Sequence, residues 1–214
     1  FNQCESVMAS VIEKTIRKAV TPAIQALAGV NRNRLPDART NPFLNGLPTW
    51  GVCIGAMEKG EPTAGGMFLP RLDEMLLAVR GEGAVRNGAP LPQLQPMEID
   101  NQTVLLSPSS RKRFYKMNFP GKSMAYGSIA AHVAFAATGS GIGALVDRPY
   151  IWDILGPLAV LMEVGGGAFY PDGRPLDLRS LAAGQKEENP LFFGLAENTE
   201  KLYPMLEIIP RPKK

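Results

Sequence analysis

The chain has 214 residues, 45% hydrophobic and 20% charged, with a net charge of +3. This composition excludes a disordered or fibrous chain and allows one large domain or two lobes with a sizeable core. The charge excess is too small to imply nucleic acid by itself, but it suits an anionic small molecule. No apolar run approaches the ~20 residues that a membrane-spanning helix needs, and no signal peptide is visible, so no membrane partner is expected. Two thiols, Cys4 and Cys53, fit a reducing cytosol, and the expected location is cytoplasmic. Phe1 stands where an initiator Met would, so the start is trimmed or left out.

Residues 5–28 place Val7, Val11, Ile12, Ile16 and Val20 at helical spacing and predict one amphipathic helix, interrupted near Pro22. Residues 31–48 are polar, Pro-containing and irregular. Residues 49–57 and 64–69 read as two strands of an antiparallel hairpin around Lys59-Gly60-Glu61. A third strand covers 74–79, followed by Gly81 to Val85 and the turn Asn87-Gly88. The Pro-rich connector 89–103 is the best boundary, dividing a single 1–214 domain into lobes 1–103 and 104–214. Beyond it, strands at 104–106, 143–146, 167–170 and 191–194 alternate with helices at 128–137 and 154–163, and a last helix covers 198–208. A meander on one side and alternation on the other predict layered sheets and helices of the α/β (α+β) class.

Five features carry possible chemistry. Gly139-Ser140-Gly141-Ile142-Gly143 has the composition of a dinucleotide loop, but a helix precedes it and a strand follows. It reads instead as a helix stop. In Gly127-Ser128-Ile129-Ala130, Ser128 can cap the helix it opens while the adjacent N–H groups face an anion. His132 is the single histidine and reads as structural, which argues against zinc hydrolysis and against a Ser-His-Asp triad. In Trp152-Asp153, a carboxylate opens an apolar helix that ends at Gly165-Gly166. Such a carboxylate either caps the helix or holds a hard cation. The basic run Arg111-Lys112-Arg113, with Lys116 and Lys122, reads as a solvated loop, with phosphate contact as the alternative.

Taken in order, these pieces resemble the inositol monophosphatase family. The run from Asn41 to Gly55 (NPFLNGLPTWGVCIG) is similar to the strand that follows the family's first metal motif. The run from Pro70 to Gly88 resembles its strand entering a Gly-x-Gly-Ala turn. Gly127-Ser128-x-Ala130 resembles its substrate loop, and Trp152-Asp153 through Gly166 its second signature. The resemblance implies a layered α-β-α-β-α sandwich of the inositol monophosphatase and fructose bisphosphatase type. It also implies a homodimer, Mg²⁺ as cofactor and a small phosphorylated polyol as substrate. By the same resemblance Asp153 is a metal ligand, Gly127, Ser128 and Ala130 face the phosphate or its alcohol, and Thr40 positions the attacking water.

One region departs from the family pattern. The first metal motif should supply two aspartates, yet Leu35 and Ala38 stand at those positions in Leu35-Pro36-Asp37-Ala38-Arg39-Thr40. Asp37 can substitute as a metal ligand only through a shift of the loop. Before Trp50 the acids are Glu5, Glu13 and Asp37. Either segments of the natural protein are absent between Ala28 and Asn41, the favoured reading, or this is a non-catalytic relative. Asp147 lies one residue from where the family places a hydroxyl-binding acid, so inositol is only the default substrate. A phosphatase for sulfated nucleotides or fructose bisphosphate is the further alternative.

Overall fold

The computed structural model describes residues 7, 9–18, 41–108 and 115–209. Helix α1 (9–18) forms the first layer. Ile12 and Ile16, four apart and therefore on one face, are buried, while Val11 looks outward. The rest of the predicted 5–28 helix, Pro22 included, lies outside the described residues, as does the basic run Arg111-Lys112-Arg113.

After the short helix α2 (Asn41–Leu44) come five antiparallel strands in sequence order. They are β1 (Val52–Glu58), β2 (Glu61–Leu69), β3 (Glu74–Val79), β4 (Gly83–Arg86) and β5 (Ala89–Pro90). Two of their turns place both central residues at positive φ, Lys59-Gly60 at 54° and 89° and Asn87-Gly88 at 50° and 81°. That is the primed geometry whose twist matches the strands; the first turn was expected as a hairpin, and the second also closes one, with β5 inside the predicted connector. Side chains alternate across the sheet. Ala64, Phe68, Met75, Leu77 and Val79 pack with Ile12 and Ile16 of α1, whereas Met67, Leu69, Leu76 and Ala78 enter the central core.

The second sheet runs β10 (Gly167–Phe169), β11 (Pro190–Gly194), β9 (Gly143–Asp147), β6 (Val104–Leu106), β8 (Lys122–Met124). Its β6 is parallel to both β8 and β9, and β11 is antiparallel to β9 and β10. Between the two sheets lie α3 (Ile129–Ala137) and α4 (Ile151–Glu163). Ala131 and Ala134 of α3 and Ile154, Leu158 and Leu161 of α4 share the central core with Leu106, Ala144, Val146, Leu191 and Phe193. On the outer face of the second sheet, Leu105, Leu145 and Phe192 pack with Leu202 of α5 (Ala196–Leu202). The layers are therefore α1, first sheet, α3 with α4, second sheet, α5, which is the expected α-β-α-β-α order.

Helix α4 lies on the first sheet at backbone contact. A Cβ on Gly65 would fall 2.7 Å from the Gly156 carbonyl oxygen, and one on Gly156 would fall 2.7 Å from the carbonyl oxygens of both Ile54 and Gly66. At its far end the helix is latched to the sheet. The Glu163 carboxylate accepts from the N–H groups of Gly81 (3.0 Å) and Gly83 (2.9 Å), and the Gln93 side-chain amide donates to the Glu163 carbonyl at 2.9 Å. Glu163→Ala is expected to lower stability by about 1–2 kcal/mol in urea unfolding, because two turn amides lose a charged acceptor. A loss below about 0.5 kcal/mol would mean that water replaces the carboxylate without cost.

Three elements differ from expectation. The predicted helix 198–208 ends at Leu202, becomes a 3₁₀ turn over Tyr203–Met205 and continues as β12 (Leu206–Ile208), paired with β7 (Tyr115–Met117). Pro204 cannot donate an N–H to a continuing helix. Strands β7 and β8 carry a lysine each in three residues, YKM and KSM, too short and polar to show alternation. Helix α4 begins at Ile151, three residues before the predicted start, which moves Asp153 inside its first turn.

Candidate functional site

The second sheet gathers two helix N-termini at one edge. Strands β8, β6 and β9 are parallel, α3 follows the carboxyl end of β8, and α4 follows the carboxyl end of β9. Both helices therefore open at the same edge, where open α/β sheets commonly bind ligands. The first sheet delivers its own chain there. Pro42 of α2 lies 3.3 Å from where a Gly127 Cβ would sit, and the Thr49 hydroxyl donates to the Tyr126 carbonyl at 2.7 Å. The Cys53 thiol at the start of β1 donates to the Trp152 carbonyl at 3.3 Å.

Gly127 has φ +74°, the left-handed region, and turns the chain into α3. Ser128 is the N-cap, and its Oγ accepts the Ala131 N–H at 3.2 Å. The amides of Ile129 and Ala130 have no intrahelical acceptor, as in the first turn of any α-helix, and with the helix dipole they favour an anion. The predicted residues Gly127, Ser128 and Ala130 thus stand together, exposed or half-buried.

Asp153 is the third residue of α4, not its cap. Its Oδ2 accepts the Tyr150 N–H at 3.0 Å, the backward half of a capping box. Pro157 removes the N–H that would otherwise bond the Asp153 carbonyl. The Asp153 charge also reaches Cys53, whose thiol is pushed up to about 11, first by burial and then by that carboxylate. Cys53 is therefore a neutral thiol at physiological pH and not a nucleophile.

His132 is buried, and its Nε2 accepts the Tyr126 N–H at 2.9 Å. Burial pushes the imidazole down to about 4. It is a neutral structural histidine, as read from the sequence. Its link to the Gly127 turn, and that of Thr49, escaped sequence reading. A helical side chain leans back over the preceding turn, and a histidine one turn after a serine cap was the signal that would have found it.

Mg²⁺ finds an incomplete donor set. Among the described residues no three Asp, Glu, His or Cys side chains lie together as a metal cluster. Asp153 is a single carboxylate with one oxygen already engaged by its own helix. A two-ion phosphatase centre does not fit this set. The other sequence-predicted groups, Asp37 and Thr40, lie outside the described residues.

The layered sandwich and the helix termini at its edge define the class of proteins whose solved members include inositol monophosphatases. The chain resembles the enzyme from Anabaena (Nostoc) sp. PCC 7120 with a TM-score of 0.64 and 21% identity, covering 78% of this chain and 67% of that one. Against inositol monophosphatase II of Staphylococcus aureus MSSA476 the TM-score is 0.63 and the identity 24%, over 77% and 63%. The model of the inositol monophosphatase family matches residues 39–201, and the chain belongs to that family. Inositol monophosphatase 1 of Solanum lycopersicum is 29% identical over 159 residues, 67% of this chain and 57% of the relative. The fructose-1,6-bisphosphatase/inositol-1-monophosphatase of Aquifex aeolicus is 26% identical over 160 residues, 69% and 59%. The chain thus spans somewhat under three-fifths of these two relatives' length.

Proposed function

We propose that the chain binds a small phosphate monoester at the carboxyl edge of the second sheet and serves its hydrolysis, with inositol monophosphate as the first substrate to test. The observation that carries this reading is the convergence of two helix N-termini, one preceded by Gly127 at φ +74° and the other bearing Asp153. The phosphate oxygens take the amides at Ser128 to Ala130, and the Ser128 hydroxyl, already accepting from Ala131, keeps its proton to donate. A neighbour in fold, the staphylococcal phosphatase, is known with inositol monophosphate bound, and relatives include a histidinol-phosphatase from Chlorobaculum parvum. Both support a phosphate monoester and leave its alcohol open.

Phosphate monoesters hydrolyse so slowly in water that catalysis must supply up to ~10²¹-fold. Mg²⁺ is the cofactor the family resemblance implies. Asp153 is one candidate ligand, and the remaining carboxylates must come from outside the described residues. In the same proposal, lobes 1–103 and 104–214 act as one unit in a homodimer. Light scattering checks the dimer.

A second reading is favoured by Leu35 and Ala38 at the two positions where the family pattern has aspartates: a member of the family that binds phosphate esters without hydrolysing them. The two readings separate by thermal shift. A metal that binds the native state raises Tm by mass action. The enzyme reading expects Mg²⁺ to raise Tm and Asp153→Asn to weaken that rise. The binding reading expects no Mg²⁺ effect and a rise with inositol monophosphate alone.

A further inference from the structure

The ring of Trp152, on the first turn of α4, is 50% exposed, yet it is held in place. It lies on the Tyr150 ring with centroids 4.4 Å and planes 10° apart, and the Lys186 ammonium stands 5.1 Å from the centroid of that Tyr150 ring. The strap 184–188 fixes the pair from outside. Tyr150 and Lys186 form an antiparallel bridge, the Glu187 N–H donates to the Pro149 carbonyl at 3.0 Å, and Arg148 is ion-paired with Glu188. Gly184 approaches Trp152 at one ring atom, where a Cβ would fall 3.7 Å from Cζ3. Among the described residues no second ring stacks on Trp152. The stack of Lys186, Tyr150 and Trp152 is therefore closed at one end and open at the other.

A preset aromatic face in water suits either a protein partner or a single ring. A stable protein interface buries about 1,000 Å² or more around an apolar centre. Here Gly184, Gln185 and Glu188 of the strap are themselves exposed, so the open apolar surface is about one ring wide. That size fits one planar ring, which gains most by lying parallel to the indole. Lys186 adds positive charge beside the stack and suits a ring carried by an anion. The neighbouring Asp153 holds the Tyr150 N–H at 3.0 Å, so ring and carboxylate ride on one turn.

We propose that Trp152 is a stacking platform for a planar heteroaromatic ring, so that the ester taken at this sheet edge is of the nucleoside monophosphate type and not a bare polyol phosphate. The ester rests on the reading given under the proposed function. The platform does not.

The test uses the full chain carrying Trp50→Phe, which leaves Trp152 as the single tryptophan. Adenosine, adenosine monophosphate and inositol monophosphate are titrated, with Trp152 emission and calorimetric affinity as readouts. Both adenosine compounds should quench Trp152, and inositol monophosphate should not. Adenosine monophosphate should bind at least about fivefold tighter than inositol monophosphate. In the wild-type background, Trp152→Leu should abolish that preference with inositol monophosphate affinity within about twofold, and Trp152→Phe should keep it. The quenching data judge the platform even where Trp152→Leu fails to fold. Emission unmoved by either adenosine compound, equal affinity for the two esters, or a preference that survives Trp152→Leu would overturn the proposal. Adenosine that quenches and binds as tightly as its monophosphate would instead sink the phosphate reading and uphold the platform.

Discussion

Gly156→Ala is expected to destabilise the protein by about 2–3 kcal/mol, although alanine is the better helix former by about 1 kcal/mol. The sign is set by what the new methyl group meets. Ile54 and Gly66 are cross-strand partners in β1 and β2, and the methyl would stand 2.7 Å from both of their carbonyl oxygens and 3.2 Å from the Cys53 Cβ. Backbone oxygens in a paired ladder cannot rotate away, so the helix must lift. Lifting opens the contact with Gly55 and Gly65, where a Cβ would come within 2.9 Å and 2.7 Å of Gly156 backbone atoms. For a chain of this size the loss corresponds to a Tm lower by roughly 5–10 °C. A stabilised Gly156→Ala protein would show that α4 does not sit at backbone contact with the sheet. Because Asp153 is carried by the same helix, its placement beside β1 would fall with it.

The second large effect is a loss of stability on mild acidification. Burial holds His132 at about 4 in the folded chain, against an ordinary value of 6.5. Between those values the unfolded chain takes up a proton that the folded chain refuses. The contribution of His132 is therefore complete above pH 6.5 and declines as pH falls toward 4, by up to about 3 kcal/mol over the window. Protonation also removes the Nε2 acceptor from the Tyr126 amide. Urea unfolding from pH 7.5 to 4.5 checks this when wild type is compared with His132→Gln. The wild-type midpoint should fall more steeply, and the difference should widen as pH drops. A difference constant across the range would mean that His132 titrates alike in both states.

The fold was legible where side-chain pattern and turn chemistry agreed. Gly60 announced a hairpin and Asn87-Gly88 a turn because Gly and Asn reach positive φ with little strain, and Ile12 with Ile16 announced a buried helix face, whereas the short strand β5 lies within the predicted connector. The layer order came from the family resemblance and is present in the structure. The short strands β7 and β8 were hidden because each of their lysines interrupts three residues. Pro204 is the residue in the sequence that stops the last helix short of the predicted 208. At the candidate site, Gly127, Ser128 and Asp153 were readable from local chemistry. Of the partners of Tyr126, His132 stands one turn after the serine cap, whereas the Thr49 bond spans 77 positions and no sequence spacing encodes it.

The departure from the family pattern is also physical. Leu35 and Ala38 carry no side-chain ligand for a cation, and the Asp153 carboxylate is already tied to the Tyr150 amide. Whether this chain hydrolyses a phosphate ester is therefore decided by release of inorganic phosphate from inositol monophosphate, with and without Mg²⁺, for wild type and Asp153→Asn. Release is expected to require Mg²⁺ and to fall at least tenfold in Asp153→Asn. No release above the buffer blank, or release indifferent to Asp153, would contradict hydrolysis at this site.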